Sequence, residues 1–331
     1  MADRRAPRLP PRRVVARESE LAPGERLKGA LHRVSRHGYI VASRMRPLTI
    51  LVLLMISGSL TAVAQDDWNT PHEPFRIFGN TYYVGTAGLS AILITSKAGH
   101  ILVDGGLPQS ARLIMANIRT LGFEPRDVRL ILNSHEHFDH AGGLGALQRA
   151  TGARVAASPA AARALRQGHP APDDPQYTSG LKVRFDAIRQ VETIADRTTL
   201  QVGPLAITAH FTPGHTPGAT TWAWRSCEGT RCVDIVYADS LTPVSDDGFK
   251  FTGDGTRPSR VDAFRASIDR VDQLPCDVIL APHPEFVDFA RKVARLEAGA
   301  TGIPFIESNA CRTYAAAARK RLEQRIADER K

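Results

Sequence analysis

Apolar residues after position 65 fall into short runs separated by turn residues, a pattern typical of β-strands. Glycine, asparagine, lysine and alanine mark the turns at 79–80 and 97–99. The predicted strands are residues 75–78, 81–84, 90–95, 100–103, 128–132, 154–157, 205–211, 220–225, 234–237 and 278–280.

Apolar residues recur at helical spacing between several of these runs. In residues 108–121 the apolar positions are Leu113, Ile114, Ile118 and Leu121, which share one helical face. The other predicted helices are residues 143–151, 159–167, 259–274, 288–300 and 308–330. Because strands and helices alternate in both halves, the pattern predicts an α/β fold with helices outside the sheets. Residues 168–180, rich in proline and aspartate, are predicted to form a surface loop.

The positive charge is concentrated at the amino terminus. The 331 residues carry a formal net charge of +9, of which residues 1–64 contribute +8. Residues 65–331 are therefore nearly neutral and offer no basic surface for the phosphate backbone of a nucleic acid. We predict no nucleic-acid partner. A basic protein that binds nucleic acid or a membrane surface is the alternative if residues 1–44 remain in the mature chain.

Residues 45–64 have the pattern of a secretory signal peptide. Met45-Arg46-Pro47 precedes the apolar run 48–56, and Ala62-Val63-Ala64 forms a small-x-small cleavage site before Gln65. We therefore predict a periplasmic mature domain, residues 65–331, without a stable membrane anchor. A retained anchor is the alternative, although a span needs about 20 predominantly apolar residues. Residues 1–44, rich in arginine and proline, are predicted to be disordered or an over-extended start.

Four cysteines, Cys227, Cys232, Cys276 and Cys311, all lie in the predicted exported part. An even number of cysteines suits disulfides in an oxidising compartment. Cys227 and Cys232 flank Gly229, which favours a disulfide across a hairpin turn. Four cysteines still permit three pairings, and four free thiols are the alternative.

The strongest chemical signal is a cluster of metal-ligand residues directly after the predicted strand 128–132. His135, His137, Asp139 and His140 form the pattern H-x-H-x-D-H within six residues. One tetrahedral zinc ion does not readily accept four ligands from so short a segment. Two adjacent ions can share them, with His135 and His137 on one ion and Asp139 and His140 on the other.

Two further histidines follow predicted strands, where α/β sheets gather functional residues. His215 lies in a loop of the sequence T-P-G-H-T-P-G, and His283 lies between two prolines after strand 278–280. We predict that each completes one metal site. Glu136, inside the cluster, is expected to point away from the metals. Four other histidines are expected to be solvent-exposed: His72, His100, His169 and His210.

The order H-x-H-x-D-H, G-H-T-P-G, A-D-S and P-H-P resembles the metallo-β-lactamase superfamily over nearly all of residues 66–330. Together with Ser240 and the Cys276/Cys311 pair, this order of motifs resembles more specifically the subclass B3 metallo-β-lactamases. This resemblance implies a four-layer αβ/βα sandwich of two mixed sheets with outer helices. It also implies disulfides Cys227–Cys232 and Cys276–Cys311.

The resemblance further implies two zinc ions per chain and hydrolysis of a small-molecule β-lactam. Nothing in the sequence indicates a large obligate interface, so we expect a monomer. His135, His137 and His215 would hold the first ion, and Asp139, His140 and His283 the second. A water shared by the ions, with its pKa lowered to about 7, would attack the lactam as hydroxide beside the catalytic Asp139. Ser240 and Thr242 would contact the substrate carboxylate.

Another hydrolase of the same superfamily is the main alternative, either a thioesterase of the glyoxalase II type or a lactonase. Those enzymes use a bridging aspartate at the strand end where Asp239 lies. Export, Ser240 after Asp239, and the carboxyl-terminal cysteine pair favour the β-lactamase.

Overall fold

The computed structural model describes residues 67–331, in which twelve strands form two sheets. The predicted signal peptide, residues 45–64, and the extension 1–44 lie outside the described residues.

The first sheet has seven strands in chain order. The first four strands pair antiparallel with one another. The fourth strand also pairs with the fifth, and the fourth to seventh strands pair parallel. Helical crossovers join the parallel strands, as parallel pairing requires. The strands are β1 (Phe75–Phe78), β2 (Thr81–Tyr83), β3 (Ile92–Ile94), β4 (His100–Val103), β5 (Val128–Leu132), β6 (Arg154–Ala157) and β7 (Val191–Thr193).

The second sheet has five strands in the order β12-β11-β10-β9-β8. Strands β9 and β11 both run antiparallel to β10, and β12 runs parallel to β11. The carboxyl ends of β9, β11 and β12 therefore lie along one edge of this sheet. The strands are β8 (Thr199–Val202), β9 (Leu205–Phe211), β10 (Thr220–Glu228), β11 (Arg231–Tyr237) and β12 (Val278–Leu280).

Eight α-helices connect or flank the strands of the described chain. They are α1 (Ser110–Thr120), α2 (Phe138–Ala141), α3 (Leu144–Thr151), α4 (Pro159–Gln167), α5 (Tyr177–Gly180), α6 (Val261–Asp272), α7 (Phe289–Glu297) and α8 (Ala310–Glu329). Two 3₁₀ turns cover Pro125–Asp127 and Pro284–Val287.

Alternating side chains of the first sheet face two separate cores. Ile101 and Leu130 pack toward the second sheet, whereas their neighbours Leu102 and Ile131 pack against a core that includes α1, α3 and α4. Helices α6 and α8 contribute Phe264, Leu322 and neighbouring side chains to the larger core. Because strand side chains alternate in direction, one apolar run can serve both layers. The result is the predicted four-layer sandwich with helices outside, and the predicted fold class is confirmed.

Both implied disulfides are present in the structure. Cys227 lies directly opposite Cys232 in the β10–β11 hairpin, and Gly229 at its tip has a φ of +60°. Cys276, just before β12, is bonded to Cys311 in the first turn of α8. The second disulfide therefore fixes the carboxyl-terminal helix to the strand that precedes His283. Within residues 67–331, no helix combines the length and the apolar character that crossing a bilayer requires.

Most predicted elements are present, with ends that differ by a few residues. The short strands β7 and β8 were not predicted, because their runs of three and four residues contain threonine, glutamate and glutamine. The predicted surface loop 168–180 contains the short helix α5 and the buried Asp174. This segment is therefore not entirely a surface loop, because Asp174 is buried within it.

Candidate metal centre

The potential ligands come together where strand ends of both sheets meet. His135, His137, Asp139 and His140 follow β5 of the first sheet, and the last two lie in the short helix α2. His215 follows β9 and His283 follows β12, both at the carboxyl-end edge of the second sheet. All of them except His283 are less than 9% exposed.

Three histidines form the first group. The ligand atoms of His135, His137 and His215 lie within 4.8 Å of one another. Their ring centroids are 4.7 to 4.9 Å apart, and the rings meet edge to face at 76° to 88°. Three imidazoles arranged around a common point can offer one nitrogen each to a single cation.

The outer nitrogens of these histidines have fixed partners. His135 Nδ1 donates to Asp239 Oδ1 at 2.8 Å, and His215 Nδ1 donates to the carbonyl of Thr242 at 2.9 Å. These contacts leave the Nε2 lone pairs of His135 and His215 available on the other side of each ring. Carboxylate and carbonyl partners of this kind orient metal-binding histidines and set their tautomer.

The second group contains a carboxylate and two histidines. Asp139 Oδ2 lies 3.1 Å from His140 Nε2 and 3.2 Å from His283 Nε2, which are themselves 3.2 Å apart. Ligand atoms around one tetrahedral zinc ion are about 3.4 Å apart, given bonds of about 2.1 Å. His135, Asp139 and His140 also lie within 4.8 Å of one another, so His135 borders both groups.

The side chains present fit metal ions. Buried His135 Nε2 has no hydrogen-bond partner in the described chain, and a buried polar atom is costly to leave unpaired. Two imidazole nitrogens facing each other at 3.2 Å, as in His140 and His283, need a proton or a cation between them. The donor set of imidazoles and one carboxylate is the set that zinc prefers.

The charges of the metal-free cluster also favour a cation. Burial lowers the pKa of His215 to about 3, so its ring is neutral at pH 7. Burial would raise the pKa of Asp139, but His140 and His283 hold it well below its usual range. For His137, burial alone would lower the pKa. The Asp174 carboxylate beside the ring outweighs burial and raises that pKa to about 9. A bound metal would displace the proton that His137 then carries.

Asp104 connects the β4 and β5 ends behind this cluster. Its carboxylate accepts hydrogen bonds from the backbone and hydroxyl of Ser134, both at 2.7 Å, and from the Tyr237 hydroxyl at 2.7 Å. A fourth donor is Asn133 Nδ2 at 3.3 Å, and His140 Nδ1 lies 4.0 Å away. Asp104 is fully buried with a φ of +63°, which is uncommon for a residue other than glycine. The strand ends are thus held together by one carboxylate.

Glu136 has a larger structural role than the sequence suggested. Its side chain is 1% exposed and accepts hydrogen bonds from Thr216 Oγ1 at 2.9 Å and from the backbone of Gly218 at 3.0 Å. It therefore joins the segment of His135 and His137 to the loop of His215. A Cβ at Gly218 would lie 2.4 Å from Glu136 Oε2, so glycine is needed at this close approach.

A cavity of about 830 Å³ opens over the two groups of ligands. Its polar floor includes His137, Asp139, His215 and His283. Its apolar rim consists of Trp68, Phe138, Val244 and Phe286, of which Val244 is 50% and Phe286 is 37% exposed. Apolar walls around a few convergent polar groups are typical of small-molecule sites.

The two predicted substrate contacts lie in different environments. Thr242 lines the cavity, and its hydroxyl lies 3.1 Å from His215 Nδ1. Ser240 is 1% exposed, and its Oγ has no hydrogen-bond partner in the described chain. The structure therefore brings Thr242, but not Ser240, to the cavity wall.

Sequence reasoning missed Asp104 and Asp174 as partners of the cluster. Asp174 contacts His137 Nε2 at 3.1 Å from a loop 37 residues away, and no local pattern indicates that contact. The expectation that His100 is solvent-exposed was wrong, since it is 6% exposed and packs against the ring of Phe123. His72 is half-buried beside aromatic rings.

The chain belongs to the metallo-β-lactamase superfamily, whose family model matches residues 85–283. Within that superfamily it resembles subclass B3. MEM-A1, a subclass B3 metallo-β-lactamase from a soil metagenome library, is 46% identical with a TM-score of 0.76, covering 80% of this chain and 98% of that chain. Rm3 metallo-β-lactamase is 47% identical with a TM-score of 0.78, covering 81% and 98%. BJP-1 of Bradyrhizobium japonicum, also of subclass B3, is 32% identical with a TM-score of 0.72, covering 80% and 97%.

Curated relatives from other branches match a shorter part of the chain. A hydroxyacylglutathione hydrolase of Anaeromyxobacter dehalogenans (strain 2CP-C) is 33% identical over 132 residues, which is 40% of each protein. An N-acyl homoserine lactonase of Bacillus sp is 35% identical over 16% of this chain and 31% of its own length. The chain thus spans less than half the length of these curated relatives.

Proposed function

We propose that this protein is an exported zinc-dependent β-lactamase that hydrolyses the amide of small-molecule β-lactams as a monomer. The observation that carries the proposal is a pair of adjacent ligand groups, three histidines beside Asp139, His140 and His283, under a cavity of about 830 Å³. Identity of 42–47% with several metallo-β-lactamases over most of both chains supports it.

In this proposal His135, His137 and His215 hold one zinc ion and Asp139, His140 and His283 hold a second. Zinc supplies a Lewis acid for the lactam carbonyl and makes water a nucleophile at neutral pH. The chain's own contribution is to fix each ligand. Asp239 and the Thr242 carbonyl orient His135 and His215, while Asp174 orients His137. Trp68 and Phe286 provide apolar walls that limit water around the substrate.

A thioesterase or a lactonase is the second candidate, because relatives with those names match part of the chain. Their bridging aspartate would correspond to Asp239. Here Asp239 contacts Nδ1 of His135, whereas the unpaired Nε2 of the same ring is the atom left for a metal. Asp239 thus lies across the imidazole ring from the ligand position, which favours the β-lactamase.

Purified, zinc-loaded protein is expected to hydrolyse a carbapenem, and a chelator should abolish that activity until zinc is restored. The reason is that the described cavity offers a metal-ligand cluster as its catalytic groups. The measurement is loss of the lactam absorbance, with an acylglutathione thioester and an acyl homoserine lactone as parallel substrates. Cleavage of either of those substrates together with inert lactams would establish the second candidate instead.

Export is expected to remove the first 64 residues, leaving Gln65 as the amino terminus. The supporting features are the apolar run 48–56 and the Ala62-Val63-Ala64 site, and two disulfides suit an oxidising compartment. Mass spectrometry of periplasmic protein measures the terminus. A mature chain that begins at Met45 or earlier would contradict the export proposal.

A further inference from the structure

The segment of residues 239–242 carries the outer partners of two histidines of the first group. The Asp239 carboxylate accepts a hydrogen bond from His135 Nδ1, and the Thr242 carbonyl accepts one from His215 Nδ1. A shift of this segment would therefore turn both imidazole rings at once. Because metal affinity depends on how outer partners orient the ligating rings, whatever fixes this segment also matters to the metal site.

Residues 239–242 lack the support of a sheet. Strand β11 ends at Tyr237, and the amide of Ala238 donates to Leu280 O at 2.8 Å as the last backbone contact before the segment. In the described chain, none of the four residues forms a backbone–backbone hydrogen bond. Each is at most 6% exposed, so their amides and carbonyls depend on side-chain partners.

Tyr314 of helix α8 supplies two of these partners through one hydroxyl group. Its Oη donates to the Asp239 carbonyl at 2.7 Å and accepts a hydrogen bond from the Leu241 amide at 3.4 Å. The tyrosine is 4% exposed, and burial raises its pKa, so the hydroxyl keeps its proton and remains a donor. Tyr314 thus holds the segment backbone on both sides of Ser240.

The second disulfide fixes the turn of α8 that carries Tyr314. Cys311, three residues earlier in the helix, is bonded to Cys276 just before β12. Residues three apart are neighbours on one helix face, so the disulfide and the tyrosine lie on the same side of α8. Ala315 and Ala318 of the following turns are fully buried in the larger core. The hydroxyl is therefore held in a defined position relative to the second sheet.

We propose that Tyr314 is a positioning residue for the three-histidine metal group and acts on His135 and His215 through residues 239–242. This inference rests on the metal assignment made in the proposed function. Loss of the hydroxyl would leave two buried backbone groups without a partner and allow the segment to relax. Both rings would then lose part of their fixed orientation, and zinc would bind this group less tightly.

The second metal group should be much less sensitive to this change. Asp139, His140 and His283 contact one another, and none of them forms a hydrogen bond with residues 239–242 in the described chain. Tyr314 is also absent from the described residues that line the cavity. A specific loss at one metal group is therefore expected, without a direct effect on substrate contacts.

The test is Tyr314→Phe, which removes the hydroxyl and keeps the aromatic ring in the core. In the wild-type background, one of the two zinc dissociation constants should rise about tenfold and the other less than about twofold. In an Asp139→Ala background, where the three-histidine group is expected to hold the remaining ion, that ion should bind about tenfold more weakly. Titration of metal-free mature protein against a chromophoric zinc chelator measures these constants.

Tyr83→Phe is the matched control, because it also removes a buried tyrosine hydroxyl that donates to backbone carbonyls. That hydroxyl donates to Thr86 O at 2.5 Å and to Leu89 O at 3.2 Å, and it forms no hydrogen bond with residues 239–242 or a proposed ligand in the described chain. Both variants should lower the midpoint of thermal unfolding of the metal-free protein. Only Tyr314→Phe should weaken zinc binding.

The zinc dependence of lactam hydrolysis is a second readout. Tyr314→Phe should need about tenfold more zinc for half-maximal activity, while KM for the lactam at saturating zinc stays within about twofold. Unchanged zinc affinity in Tyr314→Phe, or an equal loss in Tyr83→Phe, would overturn the role of Tyr314. A wild-type protein that binds zinc and cleaves no lactam would overturn the β-lactamase proposal alone, since the zinc titration decides the role of Tyr314 without a substrate.

Discussion

Asp139→Ala is expected to reduce bound zinc from about two ions per chain to about one and to slow lactam hydrolysis about a thousandfold or more. Asp139 is the only carboxylate within 3.2 Å of both His140 Nε2 and His283 Nε2 among residues 67–331. Its loss leaves two facing imidazoles with no anionic ligand. Elemental analysis of zinc and initial rates on a carbapenem are the measurements.

Asp239→Asn is the matched comparison, since it changes a buried carboxylate on the other side of the cluster. An asparagine oxygen can still accept the hydrogen bond from His135 Nδ1, so this variant should keep both ions. The neutral amide is a weaker partner than the carboxylate, so turnover should fall about 10- to 100-fold while both ions stay bound in excess zinc. If Asp239→Asn instead retains about one ion, Asp239 is itself a ligand, and the assignment of the second site to Asp139, His140 and His283 is wrong.

Asp104→Ala is expected to destabilise the protein by about 3 to 5 kcal/mol, because it leaves buried donors of Ser134, Tyr237 and Asn133 without an acceptor. The positive φ of Asp104 adds strain for alanine. For a domain of this size the midpoint of thermal unfolding should fall by about 10 °C. Urea and thermal unfolding of zinc-loaded protein measure the change.

Two control variants show whether the loss of stability comes from the lost hydrogen bonds of Asp104. Asp104→Asn should cost less than alanine, because asparagine tolerates a positive φ and keeps one acceptor oxygen. Asp262→Ala removes an aspartate whose side chain is fully exposed, and it should change stability by less than about 0.5 kcal/mol. A loss equal to that of Asp262→Ala would show that Asp104 does not hold the strand ends together.

The sequence predicts the elements whose signal is local. The apolar strand before His135 and the spacing of four candidate ligands within six residues predict a metal site at a strand end, and β5 ends there in the structure. His215 and His283 could be predicted for the same reason, since each follows an apolar run. The disulfide across the β10–β11 hairpin is also local, because five positions separate its cysteines.

Contacts between distant segments were beyond the sequence. Asp104 and Tyr237 are 133 positions apart, and Glu136 and Gly218 are 82 apart. Glu136 is charged and stands beside two histidines, so its sequence context suggested a peripheral role. Its function as a bridge depends on how two loops of different sheets pack, which hydrophobic periodicity does not encode.

The six proposed ligands are divided between the two sheets, so on this assignment metal uptake would follow the packing of the sheets. Residues 135–140 come from the first sheet, whereas His215 and His283 come from the second, so neither sheet alone carries a complete set. On this assignment, a chain that is still being synthesised would lack complete sites and would bind zinc weakly. Once the sheets are packed together, a zinc ion held by the proposed ligands would bind the native state far better than the unfolded one. Free zinc at a hundredfold excess over its dissociation constant then adds about 2.7 kcal/mol to native stability, so scarcity of zinc lowers the protein's lifetime as well as its activity.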